Sequence, residues 1–555
     1  MIRTHVAATK SGTEIRAEGP LSSAQEEAAG PRPVGTSLRA YLASSRTAVV
    51  GVALSVFAMF IPVATVPYAQ TDDYALLWMA ISGRSDPQVG RSIFDANAVQ
   101  GRPLQGLLDS WLFSAAGSID NLRFLRVLAV VAIAAFGVLL HWTLVRSGFR
   151  SAFAALIAVL ICSLPAFQVY GAWAVLFSTP CAAILAGGAS LVAATAIVLP
   201  RRLMRNRLVL STAMLLAALL IYQPTAMFFW VFLAIAVIAA RHETRIVKRV
   251  VWAHLGVAGV AFAFAWAITK LAIHLIGANT PNAARTTLVH DFGAKLRWFL
   301  GWRSTHESGL SFHDPLYGSL SLFELTPSRW LSGLVAIVAI VGILALLLRE
   351  RLSIPLYGGI ALLLVPLSFL PSLVVAENSP TYRVQAALTA LIALYFVVGA
   401  YGLWVVVRDW LRPRLSRQEL IGVGFLATGA AVAFVAASAF SATRNVTTLF
   451  AVPQTTELRL VRSQLARVPA GTQRLAFVQT GNDQGMTSFI SVDEFGVPSS
   501  ARVWVPRPFA LLILHEQGKL SVDQPEPVVD ILPPTASTYP KSEPVIDVRE
   551  LRDLR

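Results

Sequence analysis

TAVVGVALSVFAMFIPVATV, residues 47–66, followed at once by PYAQTDDYALLW, residues 67–78, is the stretch that decides how this chain is built. The first part is uncharged and as long as a helix must be to cross about 30 Å of hydrocarbon. The second places two adjacent carboxylates, Asp72 and Asp73, a few residues beyond that crossing. Behind them come the pairs Gly83-Arg84, Gly90-Arg91 and Gly101-Arg102-Pro103, before the next apolar run begins near Phe124.

The rest of the composition agrees with a membrane setting. The chain has 555 residues, of which 55% are hydrophobic and 14% charged, with a mean hydropathy of +0.61. That excludes an ordinary soluble globule and predicts an all-α polytopic protein whose partner is the lipid bilayer. A net charge of +15 would suggest nucleic acid in a soluble protein. Here the cations fall largely in short loops between apolar runs, which is a topology signal, so no nucleic-acid partner is expected. Residues 1–46, rich in Ala, Ser, Gly, Pro and charge, read as a disordered cytoplasmic tail with no cleaved signal. Cys162 and Cys181 lie within apolar runs and read as small core residues.

Apolar runs near 47–66, 124–145, 152–170, 173–199, 251–276, 330–348, 354–370, 384–407 and 420–440 read as spans. The run 208–240 is split at Tyr222-Gln223-Pro224, where proline interrupts the helix, which brings the expected number to about eleven. Arginine and lysine clusters at 146–150, 201–207, 241–249, 349–351 and 408–417 occupy alternate loops. The positive-inside rule makes those loops cytoplasmic. The opposite, extracytoplasmic face then carries outer loops 70–122, 277–329 and 371–383, and a C-terminal domain over 442–555.

The first outer interval holds the chemistry. Residues 74–81 and 104–113 repeat apolar side chains at helical spacing, as short interfacial helices do. Two adjacent carboxylates with Gly-Arg pairs behind them look like a base beside phosphate-binding cations, set where a lipid-borne substrate would meet them. Asp72 or Asp73 suits the base; Arg84, Arg91 and Arg102 suit the phosphate through their planar donor fork. The bland alternative is a helix cap beside solvated arginines. Lys270 and His274 share a helix face near an outer end, as lipid-phosphate contacts or as side chains snorkelling to headgroups. Glu377, Tyr382 and Arg383 stand at the outer mouth of a late span, lining the same cavity or merely ending a helix. His290-Asp291, His306-Glu307 and His313-Asp314 match no metal-ligand spacing, so no metal is expected.

The adjacent aspartates after the first span, Gly101-Arg102-Pro103-Leu104, the interrupted Tyr222-Gln223-Pro224 and Tyr382-Arg383 together resemble the serotype-converting O-antigen glucosyltransferases of bacteria. Those belong to the GT-C superfamily of polyprenyl-phosphate-sugar glycosyltransferases, and the likeness covers residues 47–407. It implies a first-loop aspartate as base, a lipid-phosphate-linked sugar donor, a cell-envelope glycan acceptor, no cofactor, and a bacterial inner-membrane location. A single displacement by such a base implies inversion. Two other classes compete: a transporter or flippase, and a non-enzymatic envelope assembly protein.

Past Ser441 the chain turns globular. Residues 456–468 read as an amphipathic helix, 475–479 and 502–505 as strands, 509–514 as a further ordered element, and the Pro-rich 525–544 as extended and poorly ordered. A small α/β domain with an accessory or acceptor-positioning role is expected.

Overall fold

The computed structural model describes residues 46–83, 87–276, 287–300, 315–325, 328–379, 381–480, 494–536 and 543–552. The expected tail over 1–45 lies outside the described residues.

The chain opens with α1 (Arg46–Thr65). The polar interval behind it folds into α2 (Asp72–Ser82), α3 (Pro87–Ala98) and α4 (Pro103–Ala116). Next come α5 (Leu122–Arg146), α6 (Ser151–Cys162), α7 (Pro165–Ala172), α8 (Thr179–Ala196), α9 (Arg201–Ile221), α10 (Gln223–Ala226), α11 (Phe228–Ala239) and α12 (Thr244–Ile276). After the short α13 (Phe292–Leu300) and α14 (Pro315–Leu320) come α15 (Arg329–Arg349), α16 (Ile354–Leu367), α17 (Leu370–Val374), α18 (Ala386–Leu411) and α19 (Arg417–Val446).

Among the described residues eight helices are long and apolar enough to cross a membrane, or nine if α6 and α7, bent by 64°, form one span. The runs 224–240 and 354–370, also expected to span, form apolar helices shorter than 18 residues. Pro224 starts a separate turn, and α11 is buried on all sides from Phe228 to Ile235, the state expected of a helix apolar all round. Phe228 there packs against Phe136 and Phe167 with ring centroids 4.9 and 5.7 Å apart. Of the two cysteines, Cys162 is buried, whereas Cys181 is exposed and so is not the core residue its apolar run suggested.

Contacts between helix ends sort the loops onto two faces. Arg241 bridges Glu350 at 2.6 Å, the Tyr357 hydroxyl donates to the Arg241 carbonyl, and Arg349 bridges Asp409 at 2.9 Å. The arginine-bearing loops after α11, α15 and α18 therefore share one end. At the other end Tyr68 donates to the Ala172 carbonyl at 2.6 Å, Gln223 to that of Gly101 at 2.7 Å, and Tyr170 to that of Arg383 at 2.5 Å.

The C-terminal part is joined without a linker. After α19 a π-helical turn, Thr447–Ala451, runs straight into α20 (Val452–Leu465). A three-stranded parallel sheet follows, β1 (Arg474–Val478) between β2 (Val528–Leu532) and β3 (Val545–Asp547), with α21 (Pro506–Glu516) beside it. β1 is buried from Leu475 to Val478, as a central parallel strand must be. The expected strand at 502–505 is a turn, because Pro506 and Pro508 lack ladder donors and Pro506 instead opens α21. The Pro-rich stretch read as extended and poorly ordered contains β2, paired in register with β1 from Arg474↔Val528 to Val478↔Leu532. This unit sits directly on the polar interval that follows α1: the rings of Tyr74 and Phe509 lie 4.0 Å apart, and Trp78 Nε1 donates to Glu526 at 2.9 Å.

Candidate active site

Thr71 precedes α2 with φ 38° and ψ −102°. A β-branched residue at positive φ is strained, and such strain persists only where surroundings impose it. The Ser499 hydroxyl accepts from the Thr71 N–H at 2.9 Å, and the aspartates on either side of the next peptide take different roles. Asp73 is 0% exposed. Its Oδ2 accepts from the Gln70 N–H at 3.0 Å and its Oδ1 from the Val175 N–H at 2.8 Å. Burial pushes its carboxyl up to about 7, against the opposing pull of those N–H donors and of Arg126. Asp73 thus clasps the start of α2 to the chain segment 173–176. Asp72 is half-buried, and its Oδ1 accepts from Trp504 Nε1 at 3.0 Å. Of the pair, Asp72 is the one open to a substrate.

Arg126, not singled out in the sequence, is the largest charged group in the core of the site. On α5, it is 0% exposed and donates to the carbonyls of Val63, Tyr68 and Val66 at 2.7, 2.8 and 2.8 Å, with its guanidinium 3.8 Å from the Tyr68 ring centre. It ties off the end of α1 and fixes the chain's exit toward Asp72. An arginine inside the apolar run 122–146 was the available signal.

The two short motifs at 101–103 and 222–224 meet. Gln223 Nε2 donates to the Gly101 carbonyl at 2.7 Å, while Arg102 donates to Gln223 Oε1 at 3.2 Å and covers the Tyr222 ring at 4.5 Å. Gly101 has φ 78°, and a Cβ there would stand 2.9 Å from both Gln223 Nε2 and Thr269 Oγ1, so any side chain would be strained and would displace those groups. Thr269 brings the end of α12 alongside; its neighbours Lys270 and His274 are both exposed. Nearly two turns into α4, Asp109 is 0% exposed, and its Oδ2 accepts from Asn97 at 3.4 Å. Burial raises its carboxyl well above the usual range, opposed by the charge of Arg102. Asp109 too went unselected in the sequence, hidden inside an apolar helical pattern.

Arg383 arrives from the far side. Its guanidinium lies 4.8 Å over the Trp173 ring and bridges Glu494 at 3.0 Å, while Trp173 Nε1 donates to the Gln70 carbonyl at 3.0 Å. Tyr382 is 6% exposed, and its hydroxyl donates to the Leu325 carbonyl at 2.7 Å, a packing role. Glu377 accepts through its backbone carbonyl from the buried Lys295 at 2.7 Å, which places it with α13 and α17. Arg91 is exposed on α3, and Arg84 lies outside the described residues. So Asp73 and Arg383 both reach segment 173–176, at Val175 and Trp173, while Arg102 meets Tyr222 and Gln223 and Asp72 meets Trp504.

Among the described residues no three His, Cys, Asp or Glu side chains form a metal-holding group. His290 and Asp291 are exposed, Asp291 accepting from the Ala294 N–H at 2.8 Å; His306, Glu307, His313 and Asp314 lie outside the described residues. No protein family and no curated protein matches the chain.

Proposed function

We propose that this chain is a membrane glycosyltransferase that moves a sugar from a polyprenyl-phosphate donor to a cell-envelope glycan on the extracytoplasmic face of a bacterial plasma membrane. The observation that supports it most is the strained, half-buried turn at Thr71-Asp72, at the same end of an apolar helical bundle as Arg102, which covers Tyr222, and Arg383, which covers Trp173. In this reading the acceptor hydroxyl attacks the anomeric carbon and passes its proton to Asp72. The bond from that carbon to the phosphate oxygen breaks, and the lipid phosphate leaves with the electron pair, with inversion. Arg102 and Arg383 stabilise the charge that grows on the phosphate. The clustering of arginine-rich loops at the opposite end supports a cytoplasmic assignment for that end, with the amino terminus there and the carboxyl terminus outside.

The test is sugar incorporation into envelope glycans by cells carrying wild type or Asp72→Asn at equal membrane levels. Loss of a general base lowers the rate by roughly 10²–10⁴-fold, so the modification should vanish. Unchanged glycans in the Asp72→Asn strain would remove the reading.

A further inference from the structure

Trp504 is 52% exposed on a unit whose phenylalanines Phe477, Phe495 and Phe509 are all buried. The turn that carries it is rigid for reasons readable in its neighbours. Buried Glu457 accepts from the N–H groups of Ser499 and Ser500 at 2.8 and 2.9 Å, and Ser499 Oγ donates to Gln454 at 2.7 Å. The Val505 N–H closes the turn on the Arg502 carbonyl at 3.0 Å, and Pro506 starts α21 immediately after. The ring therefore does not project by accident of a loose loop. Its indole N–H is held by Asp72 at 3.0 Å, which fixes the ring edge beside the carboxylate and leaves half its surface uncovered.

We propose that Trp504 forms an acceptor-saccharide subsite with Asp72, its ring face stacking on the sugar while its N–H holds the carboxylate in orientation. A sugar ring offers an apolar face of C–H groups and a rim of hydroxyls. An indole supplies flat apolar area with a polar tip, and the neighbouring carboxylate accepts from hydroxyls. A tryptophan acting only as an interfacial anchor would turn its N–H to lipid headgroups. Here that N–H is taken by Asp72. The inference rests on the reading of Asp72 as the base and adds a contribution from the far end of the chain.

The experiment uses membranes carrying the full-length wild type, Asp72→Asn, Trp504→Phe or Trp504→Leu, with their endogenous donor. The acceptor probe is envelope glycan isolated from Asp72→Asn cells. Trp504→Phe keeps a flat face without the N–H: acceptor KM should stay within about threefold while kcat falls about tenfold. Trp504→Leu keeps apolar bulk without the face, and acceptor KM should rise at least tenfold, equivalent to about 1.4 kcal/mol. A Trp504→Leu enzyme with wild-type acceptor KM, beside an inactive Asp72→Asn, overturns the subsite and leaves the base standing. Full transfer by Asp72→Asn overturns both.

Discussion

Asp73 shows how adjacent identical residues are sorted by what reaches them. Both oxygens of Asp73 are met by backbone N–H groups, so an Asn there turns an amide donor against Gln70 or Val175. Asp73→Asn should cost about 1–3 kcal/mol, seen as a lower Tm of the purified protein, whereas Asp72→Asn should leave Tm unchanged. The pH dependence follows from the raised carboxyl. With a folded value of about 7 against an unfolded carboxylate near 4, Asp73 contributes stability that is complete below the unfolded value and lost as pH rises through 7. Wild type should therefore gain stability between pH 8 and pH 5 by more than Asp73→Asn does; equal slopes would contradict the burial argument. The sequence made the acidic pair visible and left the division of labour open, because burial is decided by Val175, a hundred residues away. Arg126 was missed for a related reason. A single cation at the edge of a span reads as snorkelling unless the carbonyls of Val63, Val66 and Tyr68 are known to surround it.

The apolar helices were legible from run length and charge-bearing loops, since both follow from the bilayer's thickness and not from distant contacts. The two short helices departed from expectation at prolines, Pro224 and Pro366, and at burial by other helices. Strands were harder. β2 lies among prolines at 525–534 and is recruited only because β1 offers it an edge. Close helix crossings were also beyond sequence reading. A Cβ on Gly342 would lie 1.9 Å from the Gly399 carbonyl oxygen, so α15 and α18 touch backbone to backbone. Gly342→Leu should separate them at a cost of about 1–3 kcal/mol or more, measured as reduced folded yield and lower Tm in detergent. Gly358→Ala, where a Cβ meets nothing within 4 Å, is the control and should be neutral.

At the scale of the molecule, sidedness is the property that the proposed chemistry depends on. With Cys181 replaced by Ser, an impermeant maleimide applied to intact spheroplasts should label Asp523→Cys, exposed on the C-terminal unit, and should reach Arg205→Cys only after lysis. The reverse pattern would place the acidic turn in the cytoplasm and remove an envelope glycan as acceptor. The C-terminal residues form a small parallel sheet with α21 beside it, and its position on α2 was not foreseeable, since helical periodicity carries no information on docking. That docking also has a consequence in time. Thr71 and Asp72 receive their partners from residues 428 and 432 positions later in the chain. Domains fold in order as synthesis proceeds. The turn that carries Asp72 therefore stays without Ser499 and Trp504 until those residues have been made, and a chain ended before them inserts its helices with that turn unassembled.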